Sequence, residues 1–223
     1  MHFKLHESTM VKQLEYNTLR EIFNRFKQAA NEPEGELEHV NVYTLVVAVA
    51  LSAQSTDAGV NKATKKLFQI ADTPEKMLDL GEQGLIEHIK TIGLFRNKAK
   101  NVIKLSKILL EQYDGQVPNS RAALQSLPGV GRKTANVVLN MWWKHPAQAV
   151  DTHIFRVGNR TGIAPGKDVD AVERAIEDNV PADFQLHAHH WLILHGRYHC
   201  KARKPLCSTC LIIDLCSFED KEL

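Results

Sequence analysis

A chain of 223 residues is long enough for one large or two small domains with real cores. At 43% hydrophobic and 24% charged it is ordinary globular material, which excludes a disordered polymer, and no apolar stretch is long enough to cross a bilayer. The net charge of +2 excludes nothing, but its sign is segregated, because no acidic residue falls between Glu87 and Glu111, between Asp114 and Asp151, or between Asp183 and Asp214.

Met1 to Val11 carry charges and no apolar core of signal-peptide length, so no secretion signal is expected. Leu19, Ile22, Phe23 and Phe26 recur at 3/4 spacing and predict an amphipathic helix over about Asn17 to Ala29. Asn31-Glu32-Pro33-Glu34-Gly35 breaks it and is the best linker candidate. It opens an acidic run (Glu32, Glu34, Glu36, Glu38).

Leu45 to Leu51 is apolar on all sides, so periodicity cannot separate a buried strand from a buried helix, but the helical neighbourhood favours a central helix. Ser52 to Asp57 follows as a polar loop, and Val60, Ala63, Leu67 and Phe68 mark the next helix. Thr73 caps a short helix with Pro74 at its first position, running to Leu80. Leu85, Ile86 and Ile89 mark another, closed by Gly93. A long basic helix through Ala99, Val102, Ile103 and Leu109 stops near Gly115. Lys90, Arg96, Lys98, Lys100, Lys104 and Lys107 fill this acid-free stretch, the footprint of a polyanionic partner.

The segment Leu127-Pro128-Gly129-Val130-Gly131-Arg132-Lys133-Thr134 organises the rest. A helix capped by Ser120 leads into it, and a helix with Ala135, Val138, Leu139 and Trp142 on one face follows. Gly129 and Gly131 can take positive φ and leave no side chain between backbone and ligand. Pro128 fixes φ and lacks an N–H. Backbone N–H groups at such a helix start favour phosphate, and Arg132 and Lys133 add charge there. Helix, Gly-x-Gly hairpin and helix together make a helix-hairpin-helix layout, a sequence-neutral grip on a DNA backbone. Lys133 in the first turn faces the unfavourable end of the helix dipole with Arg132 beside it, and both favour the neutral, nucleophilic amine. After a short extended piece from Ala147 to Val150, Asp151 caps a helix through about Thr161. Further helices are predicted over about Val169 to Asp178 and Phe184 to Tyr198. No strand-turn-strand pattern, repeat or low-complexity segment appears, so the fold class is all-α.

All four cysteines fall in the pattern Cys200-x6-Cys207-x2-Cys210-x5-Cys216. Clustered thiols in a chain read as intracellular point to metal and not disulfides. Spacing alone leaves zinc and iron–sulfur open. The unequal gaps lean toward one [4Fe–4S] cluster, since zinc sites usually pair two short knuckles. The nearby histidines (His187, His189, His190, His195, His199) are read as surface or core residues, and the loop from Lys201 to Pro205 as a basic loop that a metal would clamp.

Three segments together, Leu127 to Asn140, Val150-Asp151-Thr152-His153 and the four-cysteine spacing, resemble the endonuclease III family. Its members are bifunctional DNA glycosylase/AP lyases of the helix-hairpin-helix glycosylase superfamily. The resemblance covers about Phe23 to Phe218. It implies a two-lobed helical fold: an N-terminal helix (1–35) packing on a cluster lobe (146–223), and a six-helix lobe (36–145) with the hairpin. It implies a base-excision-repair enzyme that flips oxidised pyrimidines from duplex DNA and cleaves abasic sites by β-elimination. Lys133 and Asp151 would be catalytic. Gln54, Leu94, Gly129, Val130, Gly131, Arg132, Lys201 and Arg203 would meet DNA, with Gln54 and Leu94 filling the vacated stack. Cys200, Cys207, Cys210 and Cys216 would hold one structural, redox-capable [4Fe–4S] cluster. Expected partners are damaged duplex DNA and no membrane, for a monomer in the bacterial cytoplasm at the nucleoid.

Overall fold

A computed structural model describes residues 12–33 and 35–223. The expectations for Met1 to Val11, and for Glu34 within the linker and acidic run, lie outside the described residues. Ten α-helices follow in chain order among the described residues: α1 (Tyr16–Ala29), α2 (Val42–Ser52), α3 (Asp57–Ile70), α4 (Pro74–Ile89), α5 (Phe95–Tyr113), α6 (Arg121–Gln125), α7 (Arg132–Trp143), α8 (Thr152–Thr161), α9 (Val169–Asn179) and α10 (Gln185–Tyr198). Short 3-10 turns stand at Ala182–Phe184 and Cys207–Thr209, and no strand occurs among the described residues, so the chain is all-α.

The helices begin where their caps sit. Asn41 accepts from the Thr44 N–H while the Thr44 hydroxyl receives the Asn41 N–H, a reciprocal capping box that starts α2. Thr56, Thr73, Ser120, Asp151 and Asp168 each accept backbone N–H bonds at the starts of α3, α4, α6, α8 and α9. The ambiguous apolar run is helical, and Tyr43 to Leu51 are all buried. The two short helices expected on either side of residue 81 form α4, kinked at Gly81, whose φ of 71° and ψ of 169° only glycine adopts readily. Asp114 and Gly115 both turn left-handed and end α5. The piece from Ala147 to Val150 is buried but makes no sheet.

The chain divides into two compact units. One, Gly35–Ala149, contains α2 to α7 around a core that includes Leu45, Leu51, Leu67, Met77, Leu85, Ile89, Leu105 and Leu109. Tyr43 and Ser106 form a buried polar pair in it. The other joins residues 12–33 to Val150–Leu223. Here the stripe of α1 packs into the core of α8 to α10: Phe23 stacks on Phe184 at 5.8 Å between centroids, and the Trp191 indole donates to Ala30 O at 2.7 Å. Arg25 of α1 reaches Leu211 O and both oxygens of Asp214, tying the N-terminal helix to the cysteine segment.

Candidate nucleic-acid interface and cluster site

In the unit with α2 to α7, a six-residue connection separates α6 from α7. Its turn is closed by the Val130 N–H on Leu127 O at 3.1 Å, and the buried side chains of Leu127 and Val130 anchor it in the core. Any ligand contact at Val130 is therefore through its main chain. Gly129 has φ +81°, and a β-carbon there would stand 3.1 Å from the Asn101 side chain. Gly131 differs from the sequence expectation. Its φ is −85°, which any residue adopts, and a β-carbon there would meet nothing within 4 Å. The Gly-x-Gly pattern does not say which glycine bends the chain, and only Gly129 does. Gly131 is the N-cap of α7 and brings no side chain to the helix start, so no side-chain hydrogen bond from the cap residue closes it. Arg132 and Lys133, the first two residues of α7, are exposed.

Two loops of the same unit carry the residues expected to fill a vacated stack. Gln54 and Leu94 are both exposed, Leu94 at 60%, and both are left-handed, with φ of 55° and 57°. A leucine in that conformation is uncommon and is the N-cap of α5. The loops lie against each other, since a β-carbon on Gly93 would sit 3.6 Å from Gln54 O. The Lys98 ammonium donates to Ser55 Oγ at 2.9 Å.

In the other unit, Asp151 is half-buried at the start of α8, and its Oδ1 accepts from the His153 and Ile154 N–H groups, each at 2.9 Å. The other end of α8 meets the cysteine loop. Arg156 donates to Cys200 O and Gly196 O, while Arg160 donates to Lys201 O at 2.6 Å and Ala202 O at 2.9 Å. Lys201 and Arg203 are exposed on that loop. Sequence reasoning missed the arginine pair. Its only trace was two arginines four apart on one helix face.

The four thiols are free, half-buried, and line one recess that opens to solvent, together with His195, His199, Leu206, Ile213 and Phe218. Among the described residues no three His, Cys, Asp or Glu are placed to hold a single metal ion, and all four thiols line the one recess. Burial, and then the neighbouring cysteines, push the Cys210 and Cys216 thiols up from the ordinary value. His195, buried and beside His199, is lowered to about 4 and brings no positive charge at neutral pH. Four thiolates around one recess would carry negative charge that a bound metal offsets, and soft thiolate donors suit an iron–sulfur cluster. N–H donors face two of the sulfurs, Arg160 at 3.9 Å from Cys200 and the Phe218 N–H at 3.5 Å from Cys216, and His195 Nε2 lies 3.8 Å from the Cys210 sulfur. That is the outer shell an iron–sulfur cluster uses.

The family model for the HhH-GPD superfamily of base excision DNA repair proteins matches residues 47–182. The model for the iron-sulfur binding domain of endonuclease III matches residues 200–216. Endonuclease III of Escherichia coli (strain K12) is 56% identical over 201 residues, 90% of this chain and 95% of that protein. Endonuclease III of Haemophilus influenzae is likewise 56% identical, over the same shares of both chains. A solved structure of a trapped endonuclease III–DNA covalent intermediate superimposes with a TM-score of 0.85 at 42% identity, covering 92% of this chain and 97% of that one.

Proposed function

Because the chain belongs to the endonuclease III family of base-excision-repair enzymes, we propose that Lys133 is its nucleophile and Asp151 its assisting carboxylate. The enzyme is a DNA glycosylase and abasic-site lyase that removes oxidised pyrimidines from duplex DNA, and it carries one [4Fe–4S] cluster. The observation that carries the assignment is the exposed Lys133 in the first turn of α7, directly after a hairpin whose cap residue has no side chain.

A stacked base cannot be reached in the duplex, so the nucleotide must first swing out. Leu94 wedges and Gln54 fills the space it leaves. The main chain from Gly129 to Gly131, with Arg132, holds the backbone phosphates by charge and N–H donors. The Lys133 amine attacks C1′, the bond from C1′ to the base breaks, and the base leaves with a proton. Asp151 assists by accepting the amine proton or by facing the cationic sugar. The sugar ring opens to an imine on Lys133. Loss of a 2′ proton expels the 3′ phosphate and cuts the strand on its 3′ side, and water then frees the lysine. Bound by Cys200, Cys207, Cys210 and Cys216, the cluster supplies a covalent tie across the 200–216 loop and a redox couple. Lys201 and Arg203, on that loop, meet phosphate.

The relatives named above are bacterial, and we place the chain as a monomer on the nucleoid of a bacterial cytoplasm. Among the described residues no helix is long and apolar enough to cross a membrane.

Borohydride reduces an imine to a stable amine, so wild-type enzyme and abasic DNA should become covalently joined. Lys133→Gln is tolerated in a first helical turn and should bind damaged duplex while losing trapping, base release and strand cutting. Asp151→Asn keeps the cap and should trap more slowly by roughly 10²–10⁴. Trapping by Lys133→Gln at the wild-type rate would show that another amine is the nucleophile. A non-catalytic DNA-binding module would keep both glycines yet nick no abasic duplex.

A further inference from the structure

Lys98 is buried in a place that suits a lysine poorly. It lies in the first turn of α5, and its own N–H closes that helix on Leu94 O at 3.0 Å. The residue is 8% exposed. Its ammonium donates to Ser55 Oγ, and no carboxylate among the described residues pairs with it. Burial alone pushes its pKa below the usual lysine value. A helix start is the wrong end of the dipole for a cation. An unpaired buried ammonium costs free energy that a methionine of similar shape would not incur.

What the lysine holds accounts for its presence. Ser55 directly follows Gln54, and its N–H closes the turn on Ser52 O at 2.9 Å. Lys98 stands four residues after Leu94, one helical turn on. The bond therefore joins the loop of Gln54 to the helix of Leu94. Both residues are held in the left-handed conformation, which neither a glutamine nor a leucine favours. Left-handed residues in two touching loops persist only where their surroundings fix them.

We propose that Lys98 is a positioning residue that clamps the Ser52–Ser55 turn to the start of α5, so that Gln54 and Leu94 enter the duplex as one preset unit. The proposal rests on the reading that these two residues fill the vacated stack. It adds the element that sets their spacing before DNA arrives. Lys98 touches neither base nor sugar in this scheme and acts through Ser55.

The test uses the full enzyme with Lys98→Met, Ser55→Ala, the double variant, and Gln54→Ala and Leu94→Ala as controls. Base release is followed in single turnover from a duplex with one thymine glycol. Elimination is followed on a single-stranded abasic oligonucleotide, which has no stack to enter. A 2-aminopurine beside an uncleavable abasic analogue reports unstacking by its fluorescence. Lys98→Met and Ser55→Ala should each slow duplex base release by about 10- to 100-fold, the scale of a positioning loss, and lower the fluorescence gain. Single-stranded elimination should stay within about threefold, and the double variant should be no worse than the poorer single one. The melting temperature of Lys98→Met should hold or rise, whereas a merely structural lysine predicts a fall. Equal losses on both substrates, multiplicative losses in the double variant, or unchanged duplex release would overturn the clamp. Ser55→Ala decides the matter if Lys98→Met fails to fold. Unchanged release by both controls would overturn the stack-filling reading and the clamp with it. Impaired controls beside a normal Lys98→Met would sink the clamp alone.

Discussion

The two glycines of the hairpin should fail in different ways. Gly129→Ala forces a left-handed φ on alanine and drives a methyl toward Asn101, so it should cost about 1–2 kcal/mol of stability and weaken binding to damaged and undamaged duplex alike. Gly131→Ala meets open space at an ordinary φ, and its cost to the fold should be about 1 kcal/mol or less, the loss of a cap residue. Its methyl would nevertheless stand at the helix start, so duplex affinity should fall well out of proportion to stability. Chemical denaturation beside fluorescence anisotropy separates the two effects, and a Gly131→Ala that binds normally would remove close backbone approach from the hairpin's role. Tyr43 illustrates a residue with no part in binding. Its hydroxyl meets Ser106 Oγ at 2.6 Å, and Ser106 in turn donates to Val102 O. Burial holds the phenol well above its ordinary value near 10. A raised folded pKa gives stability that is present below about pH 10 and lost as pH climbs past it. Tyr43→Phe should cost about 1 kcal/mol at neutral pH and flatten the alkaline fall in stability, as urea titrations between pH 8 and 11 would show.

Among the elements, α8 links the proposed assisting carboxylate to the cysteine loop. It carries Asp151 at its cap and, through Arg156 and Arg160, grips the main chain of the cysteine loop. The loop's main chain is therefore held by the helix, and its four cysteines would be held by the cluster. Purified protein should be brown, with about four iron and four sulfide per chain. Serine at any of the four cysteines should lower the yield of folded protein, because metal binding and folding are coupled. A colourless protein with one zinc would refute the cluster. These ties also mark the limit of what could be read from the chain. Caps at Thr73, Ser120 and Asp151 and the stripes of α1, α3 and α5 are local patterns, and the helices stand where those patterns put them. The grip of Arg160 on Lys201, of Lys98 on Ser55, and of Asn101 against Gly129 spans 28 to 43 positions. No period or short motif encodes such pairs. The hairpin was legible because its residues are consecutive, and the bend at Gly129 alone was not, because Gly-x-Gly is symmetrical to the eye.

For the whole molecule, a net charge of +2 conceals acid-free stretches that hold most of the expected phosphate contacts. Duplex affinity should fall steeply with salt, and Lys201→Ala and Arg203→Ala should each reduce the slope of log K against log salt by about one. A slope near zero in the wild type would remove the polyanion argument. The order of the chain has a separate effect during synthesis. The Gly35–Ala149 unit is continuous and can close as soon as it leaves the ribosome. The other unit is split around it, and α1 finds its partners only after Phe184 and Trp191 have been made. At ordinary elongation rates that wait is roughly 8–30 s. Throughout it, Leu19, Ile22, Phe23 and Phe26 lack the core that buries them in the finished protein. The nascent chain thus offers chaperones a short apolar handle at its leading end, and slowing translation in the second half of the message should raise aggregation more than slowing it in the first.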